Sequence, residues 1–269
     1  MKDIKKAYVI GSKTSQSLSP TIFNYWFEKY DIRGFYDFIE IGEKNFNKEI
    51  KKILKEKNLC GLNITIPHKE NIIQHIDGFD RHSKKIGAIN CVTIKKNKTY
   101  GSNTDWIGFC ETLKNNKINK KNTALLIGYG GAAKAILYGM RQYGFKDIHV
   151  FNRSINKLPK NNPNRVSGHP LFEIENYLEA AGIIVNTAPV NVLKKLKIKK
   201  PTTKGLIFDI VYSPVNTSFL KNFSKKNKKI NGLNMLVNQA APCFKKWFGI
   251  TPEPDKKLFN ILTKAAPQW

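Results

Sequence analysis

The stretch TALLIGYGGAAKAILYGMRQYGFKDIHVFNR (123–153) decides how the chain folds. Its first six residues form a short apolar run that ends in Gly128, the pattern of a buried strand. GGAAKAILYGMRQYG (130–144) continues as a helix, and DIHVFNR (147–153) as the next strand. The turn between first strand and helix reads Gly128-Tyr129-Gly130-Gly131-Ala132-Ala133, which fits G-x-G-x-x-A. In such a turn the first glycine allows the tight bend and the second lets the backbone approach a pyrophosphate. The small third residue lets the helix pack closely on the strand. Free N–H groups at the helix start then face the phosphates. A glycine turn alone says little; strand, turn, helix and strand in this order point to a dinucleotide.

The end of the second strand chooses the dinucleotide. A carboxylate there would bind the ribose hydroxyls of NAD and repel a 2′-phosphate. The chain instead has Asn152-Arg153-Ser154, with Lys157 one turn later. Neutral Asn, planar Arg and a nearby Lys form a pocket for a phosphate dianion, so the expected cofactor is NADP.

Outward from this unit, GIIVNTAP (182–189) and GLIFDIVY (205–212) read as further strands. MLVNQAAPCFKKWFG (235–249) and DKKLFNILTKA (255–265) read as helices. Toward the N-terminus, AYVIG (7–11), FYDFIEI (35–41) and GLNITIP (61–67) read as strands. Between them lie a helix behind Ser19-Pro20, where Ser19 is the expected N-cap, and a second helix over 46–58. A short helix is expected from His68, and CVTIKKNKTYG (91–101) reads as a hairpin. This alternation predicts an α/β protein with two units. The expected division is 1–105, completed by 239–269, and 106–238, with the last helices packing back on the first unit.

The bulk numbers bound the rest. A chain of 269 residues with 41% hydrophobic content can bury one large core or two modest ones. No apolar run nears the roughly 20 residues that cross a bilayer, and the start has no signal-peptide layout, so the cytoplasm is the expected location. Cys60, Cys91, Cys110 and Cys243 lie in apolar segments without C-x-x-C spacing, which predicts buried thiols and no metal site. The net charge of +26 is carried almost wholly by scattered Lys; Arg occurs only at 33, 81, 141, 153 and 165. Base readers favour clustered Arg, so a lysine-rich solvated surface is expected, with no nucleic-acid or membrane partner.

Nine segments in order carry a closer resemblance: SLSP (17–20), NITIPHK (63–69), GAIN (87–90), NTD (103–105), GYGGAA (128–133), NRS (152–154), NTAP (186–189), DIVYSP (209–214) and GLNMLVNQAAPCFKKWFG (232–249). With these the chain resembles the shikimate dehydrogenase family from end to end. The resemblance implies an N-terminal α/β substrate domain beside a Rossmann-like NADP domain, and NADP-dependent interconversion of 3-dehydroshikimate and shikimate. It makes Lys69 the general acid/base at the reacting oxygen, with Asp105 beside it. Lys69 is expected at a helix start after the third strand, reaching the carboxyl edge of the sheet. Ser17 and Ser19 would hold the substrate carboxylate, while Asn63, Thr65, Asn90, Tyr212 and Gln239 would be further substrate contacts. Gly128, Tyr129, Gly130, Gly131, Ala132 and Ala133, then Asn152, Arg153, Ser154 and Lys157, match the cofactor loop and phosphate pocket. Gly232 and Met235 match positions lining the nicotinamide, and Thr187, Ala188 and Ile210 match further cofactor contacts. The chain departs from the family pattern at Gln16, where His is common, and at Tyr129, where Ala is usual.

Other readings are a quinate/shikimate dehydrogenase using NAD or both cofactors, and a non-catalytic regulator of the same fold. Monomer and homodimer are both open. Because substrate and nucleotide groups fall in different segments, a cleft between two lobes is expected, hinged near Thr104–Gly108 and Leu233–Gln239.

Overall fold

The computed structural model describes residues 4–114, 116, 118–158 and 166–266. The chain divides into two units, residues 1–108 with 237–265, and residues 109–236 with 266–269.

The first unit begins β1 (Lys5–Gly11), α1 (Ser19–Lys29), β2 (Gly34–Glu40), α2 (Phe46–Ile53) and β3 (Leu59–Ile64). It continues β4 (Gly78–Phe79), α3 (Arg81–Ile86), β5 (Cys91–Lys95), β6 (Lys98–Ser102) and α4 (Asp105–Leu113), whose last turns belong to the second unit. The six strands form one sheet in the order β2-β1-β3-β5-β6-β4. β2, β1 and β3 are parallel, β5 runs antiparallel to β3, and β6 antiparallel to β5. The carboxyl ends of β1, β2, β3 and β6 and the start of β5 therefore share one edge. The β5–β6 hairpin turns at Lys96 and Asn97, both left-handed, as two-residue turns that match strand twist require.

One face of this sheet is covered by α2 over a cluster that includes Ile10, Phe46, Ile50, Leu62 and Ile72. An aromatic layer from α1 includes Phe23, Trp26 and Phe27, joined by Phe244, Trp247 and Phe248 from the helix Leu233–Phe248. Gly61 makes room for that layer: a Cβ there would lie 2.0 Å from the Trp247 ring. Burying a ring of this size stabilises by about 2–3 kcal/mol.

The second unit comprises β7 (Thr123–Ile127), α5 (Gly131–Tyr143), β8 (Ile148–Asn152), β9 (Val166–Pro170), β10 (Ala181–Asn186), α6 (Val192–Lys195), β11 (Leu206–Asp209), α7 (Ser218–Lys221) and β12 (Lys229–Ile230). α8 (Leu233–Phe248) starts in this unit and ends in the first, to which α9 (Lys256–Ala265) also belongs; there α9 packs against α1. The sheet is parallel throughout, in the order β12-β11-β10-β7-β8-β9. Counted from β7, that is the doubly wound order 3-2-1-4-5-6, whose switch point lies between β7 and β10. Both faces are buried, one under Ile136, Met140 and Phe109, the other under Ile174, Leu193 and Phe219. Strands covered on both sides need no polar alternation, which is why TALLI and GIIVN read as unbroken apolar runs.

Three sequence expectations need correction. The helix expected over 46–58 stops at Ile53; beyond Leu54 the chain is lysine-rich, tight backbone bonds from Lys55 to Lys52 and Glu56 to Ile53 end it, and Asn58 is left-handed. Lys69 does not start a helix: residues 66–70 form a turn, and a 3-10 helix follows over Asn71–His75. Pro67 offers no N–H, and His68 N closes the turn on Thr65 O instead. Ser19 is not an N-cap but the first residue of α1, with Leu18 before it; Ser17 Oγ accepts the Ser19 N–H at 3.2 Å. Among the described residues no helix is long and apolar enough to cross a membrane.

Candidate functional site

In the first unit the candidate groups gather along the shared strand edge. Lys69 follows β3, Asn90 precedes β5, and Asp105 follows β6, so the topology brings together residues 36 and 15 positions apart. Lys69 Nζ donates to Asp105 Oδ2 at 2.6 Å, with side chains only 11% and 7% exposed. Asn90 Nδ2 donates to Asp105 Oδ1 at 2.8 Å, and Asp105 N donates to Asn103 Oδ1 at 3.0 Å. The carboxylate is thus held on both oxygens and at its backbone. Asn90 Oδ1 accepts from Thr104 N at 2.7 Å, and Gln239 Oε1 accepts from Asn90 Nδ2 at 3.2 Å. An amide network ties the three elements together.

Asn63, on β3, is equally committed. Its Oδ1 accepts from Tyr36 Oη at 2.7 Å, and its Nδ2 donates to Asn90 O at 3.2 Å and Cys243 Sγ at 3.3 Å. Burial pushes the Cys243 thiol well up, so the sulfur stays protonated beside this amide. Ser17 and Ser19 lie on the same edge, in the segment from β1 to α1. That segment is tied to the end of β2, where Glu40 Oε1 accepts from Thr14 N at 2.8 Å and Ser15 N at 2.9 Å. These N–H groups, Ser15 first, hold the Glu40 carboxyl below its usual range. Thr65 follows β3, its N–H on Ile10 O at 2.8 Å.

In the second unit the glycine turn sits at the switch point. Gly128 is left-handed at φ +98°, and a Cβ there would lie 2.4 Å from Thr187 Oγ1, so no side chain fits. Thr187 bridges the switch by donating its N–H and its hydroxyl to Ile127 O, at 2.9 and 2.6 Å. Gly130 occupies the N-cap of α5 with no side-chain cap, and among the described residues nothing beyond its own chain neighbours lies within 4 Å of where its Cβ would stand. Gly131, Ala132 and Ala133 form the first turn of α5, with Ala133 1% exposed against the strand. Uncapped N–H groups over open space are what a pyrophosphate needs, so the turn fits a dinucleotide. The Tyr129 side chain packs on the unit's core, so its bulk does not fill the turn.

Asn152, Arg153 and Ser154 follow at the end of β8; Arg153 is exposed, and Asn152 Nδ2 donates to Ser154 O at 3.1 Å. The Lys157 side chain lies outside the described residues. Ala188 N donates to Asn186 Oδ1, and Asn186 Nδ2 donates to Asp209 Oδ1 at 2.9 Å. Asp209 also accepts from Val211 N and Thr217 Oγ1, at 3.1 and 2.6 Å. Burial raises its pKa against these three donors. Through Asp209 the segments after β10 and β11 are fixed to each other. Ile210 N bonds Asn186 O and Gly232 N bonds Val211 O. Tyr212, half-buried, belongs to this unit and not to the one that holds the other substrate candidates. Met235 is 5% exposed within the core, the setting of a packing methionine.

Known proteins resemble this chain in sequence and fold. A sequence model of the shikimate dehydrogenase substrate binding domain matches residues 9–92. The shikimate dehydrogenase (NADP(+)) of Clostridium beijerinckii is 36% identical over 247 residues, 89% of this chain and 90% of the relative. That of Bartonella henselae is 33% identical over 271 residues, 96% of this chain and 92% of the relative. The chain belongs to the shikimate dehydrogenase family. The solved shikimate dehydrogenase of Aquifex aeolicus superposes with a TM-score of 0.84 at 28% identity, covering 100% of this chain and 99% of that one. The Thermus thermophilus enzyme, solved with NADP(H) and shikimate, superposes with a TM-score of 0.79 at 27% identity over 98% of both chains.

Sequence reasoning within the family pattern missed several members of these networks. Thr104 and Asn103 lie inside the NTD segment, yet only its Asp carries chemistry by type. Tyr36, Cys243, Asn186, Asp209 and Thr217 act by supporting other side chains, and nothing in their spacing announces it.

Proposed function

We propose that this chain catalyses the reversible NADPH-dependent reduction of 3-dehydroshikimate to shikimate, a step toward the aromatic amino acids. The observation that carries this reading is the buried Lys69–Asp105 pair on the strand edge of the first unit, in a chain 36% identical to an NADP-dependent shikimate dehydrogenase over 89% of its length.

Reducing a ketone builds negative charge on its oxygen, and a positioned ammonium stabilises and protonates it. Lys69 Nζ is that donor, and in the reverse direction it takes the hydroxyl proton. Asp105 Oδ2 keeps Nζ in place, and Asn90 keeps Asp105 in place. With little water around the pair, each charge acts more strongly than it would at the surface. Ser17 and Ser19 meet the substrate carboxylate near the start of α1. Asn63, Thr65, Asn90, Tyr212 and Gln239 meet its hydroxyls. Both Asn63 amide hydrogens are already used, so this residue accepts from a substrate hydroxyl through Oδ1 and does not donate.

NADPH supplies the hydride when bound. Gly128 to Ala133 cradle its pyrophosphate, and Asn152, Arg153, Ser154 and Lys157 meet its 2′-phosphate. Gly232 and Met235 would line its nicotinamide, with Thr187, Ala188 and Ile210 as further cofactor contacts. An initial-rate assay of shikimate oxidation with NADP and with NAD tests the reading, and quinate in place of shikimate tests the breadth of substrate. Turnover with NADP, at higher kcat/KM than with NAD, is expected. No turnover with shikimate on either cofactor would end the proposal.

A further inference from the structure

Next to Lys69 stands a histidine with an unusual set of contacts. The His68 ring is fully buried and stacks on Phe46 of α2, centroids 3.9 Å apart and planes 10° apart. Its Nε2 lies 2.6 Å from Ile41 O, in the segment that follows β2. A carbonyl only accepts, so Nε2 carries a hydrogen and is the donor. Nδ1 is buried and has no hydrogen-bond partner among the described residues. An apolar ring would fill the same space without leaving a polar atom unmet, which always costs stability. What the imidazole adds is the one donor to Ile41.

That donor acts on the turn that carries Lys69. His68 N closes the turn on Thr65 O at 2.9 Å, and His68 O accepts from Ile72 N at 3.0 Å. Lys69 O accepts from Ile89 N at 2.8 Å, which fixes the other side of the residue. From this backbone a flexible four-carbon stem must bring Nζ to Asp105. We infer that His68 is a positioning residue: by clamping the turn between Ile41 and Phe46 it sets the point from which Lys69 reaches Asp105 and the reacting oxygen. The inference rests on the proposed role of Lys69.

The test compares His68→Phe, which keeps a stacked ring and loses the donor, with His68→Gln, whose amide nitrogen can take the place of Nε2. Steady-state kinetics with shikimate and NADP are read beside thermal unfolding, with Lys69→Ala in parallel. His68→Phe is expected to lose about ten- to a hundredfold in kcat, the scale of a misplacement near one ångström, with both KM values nearly unchanged. His68→Gln should recover most of that loss. A merely structural role would lower the unfolding temperature without this split between kcat and KM. Wild-type kcat in His68→Phe, or equal kcat losses in the Phe and Gln variants, overturns the proposal. Should His68→Phe not fold, Phe46→Leu removes the stacking face and keeps the hydrogen bond; a reduced kcat at unchanged KM is then expected, and an unchanged kcat overturns the proposal. If Lys69→Ala keeps wild-type turnover, the catalytic reading itself has failed; if it loses turnover while His68→Phe does not, only the positioning role has.

Discussion

Lys69 and Asp105 touch at 2.6 Å in a nearly dry setting, and the consequence is kinetic. Lys69→Ala should lower kcat by about 10²–10⁴-fold, the usual worth of general acid–base catalysis, and leave NADP affinity close to wild type. Single-turnover rates and cofactor titration by fluorescence measure the two separately. A variant keeping more than about a tenth of wild-type kcat would reduce Lys69 to a binding group. Arg153 carries a separate prediction, since it is exposed at the end of β8 where an NAD enzyme would hold a carboxylate. Arg153→Ala, alone or with Lys157→Ala, should weaken NADP far more than NAD, because the 2′-phosphate is their only difference. Equal losses for both would move Arg153 to the adenine or to a surface turn. Composition alone would never pick Lys69 from so many lysines, but the segment around it did. His68 stayed hidden because its part depends on a backbone carbonyl at Ile41 that no side-chain pattern reports.

Elements were legible where both faces are buried, and obscure where they are short. β7, β10 and β11 show as apolar runs because helices cover the sheet on both sides. β9 reads VSGHP and has no such pattern; its register against β8 defines it. α6 and α7 are four residues each, below any periodic signal, and are set by the Asn191 and Thr217 side-chain caps. The last helix begins at Lys256, one residue beyond the Asp255 start that the sequence predicts, and Asp255 caps it. Asp255 Oδ1 accepts from Leu258 N at 2.9 Å, while Tyr25 Oη and Lys29 Nζ reach the same carboxylate from α1. Lys29 above all, then the Leu258 N–H, holds its pKa down at about 2. Asp255→Ala should therefore destabilise the first unit by about 1 kcal/mol, chiefly the lost cap, since the ion pair is partly exposed and screened. A carboxylate with a depressed folded pKa stabilises above its unfolded pKa and loses that contribution as pH falls through the folded value. The gap between wild type and Asp255→Ala in urea unfolding should be full at neutral pH and close between about pH 4 and pH 2. A gap that persists at pH 2 would mean that the carboxylate's charge is not its source.

At the scale of the whole molecule the dominant fact is +26 net charge, carried by lysines spread along the chain. NADP and the substrate are both anions, so the mean potential attracts them before any contact forms. In the proposed site, local contacts such as that of Arg153 would choose between cofactors; the diffuse charge lowers the free energy of any anion near the surface. Salt separates the two, since surface fields are screened over about 8 Å at physiological ionic strength while close contacts persist. Raising potassium chloride should therefore increase KM for NADP, and less steeply KM for NAD, which carries fewer charges, with kcat nearly constant because the Lys69–Asp105 pair is buried. Initial rates across a salt series, at fixed pH, measure this directly. The same series with duplex DNA as ligand checks the nature of the charge: weak binding that falls steeply with salt is the counterion-release signature of unspecific attraction. Tight duplex binding that survives physiological salt would assign the lysines to a nucleic acid, and a KM for NADP that ignores salt would show that the lysine field does not reach the cofactor site.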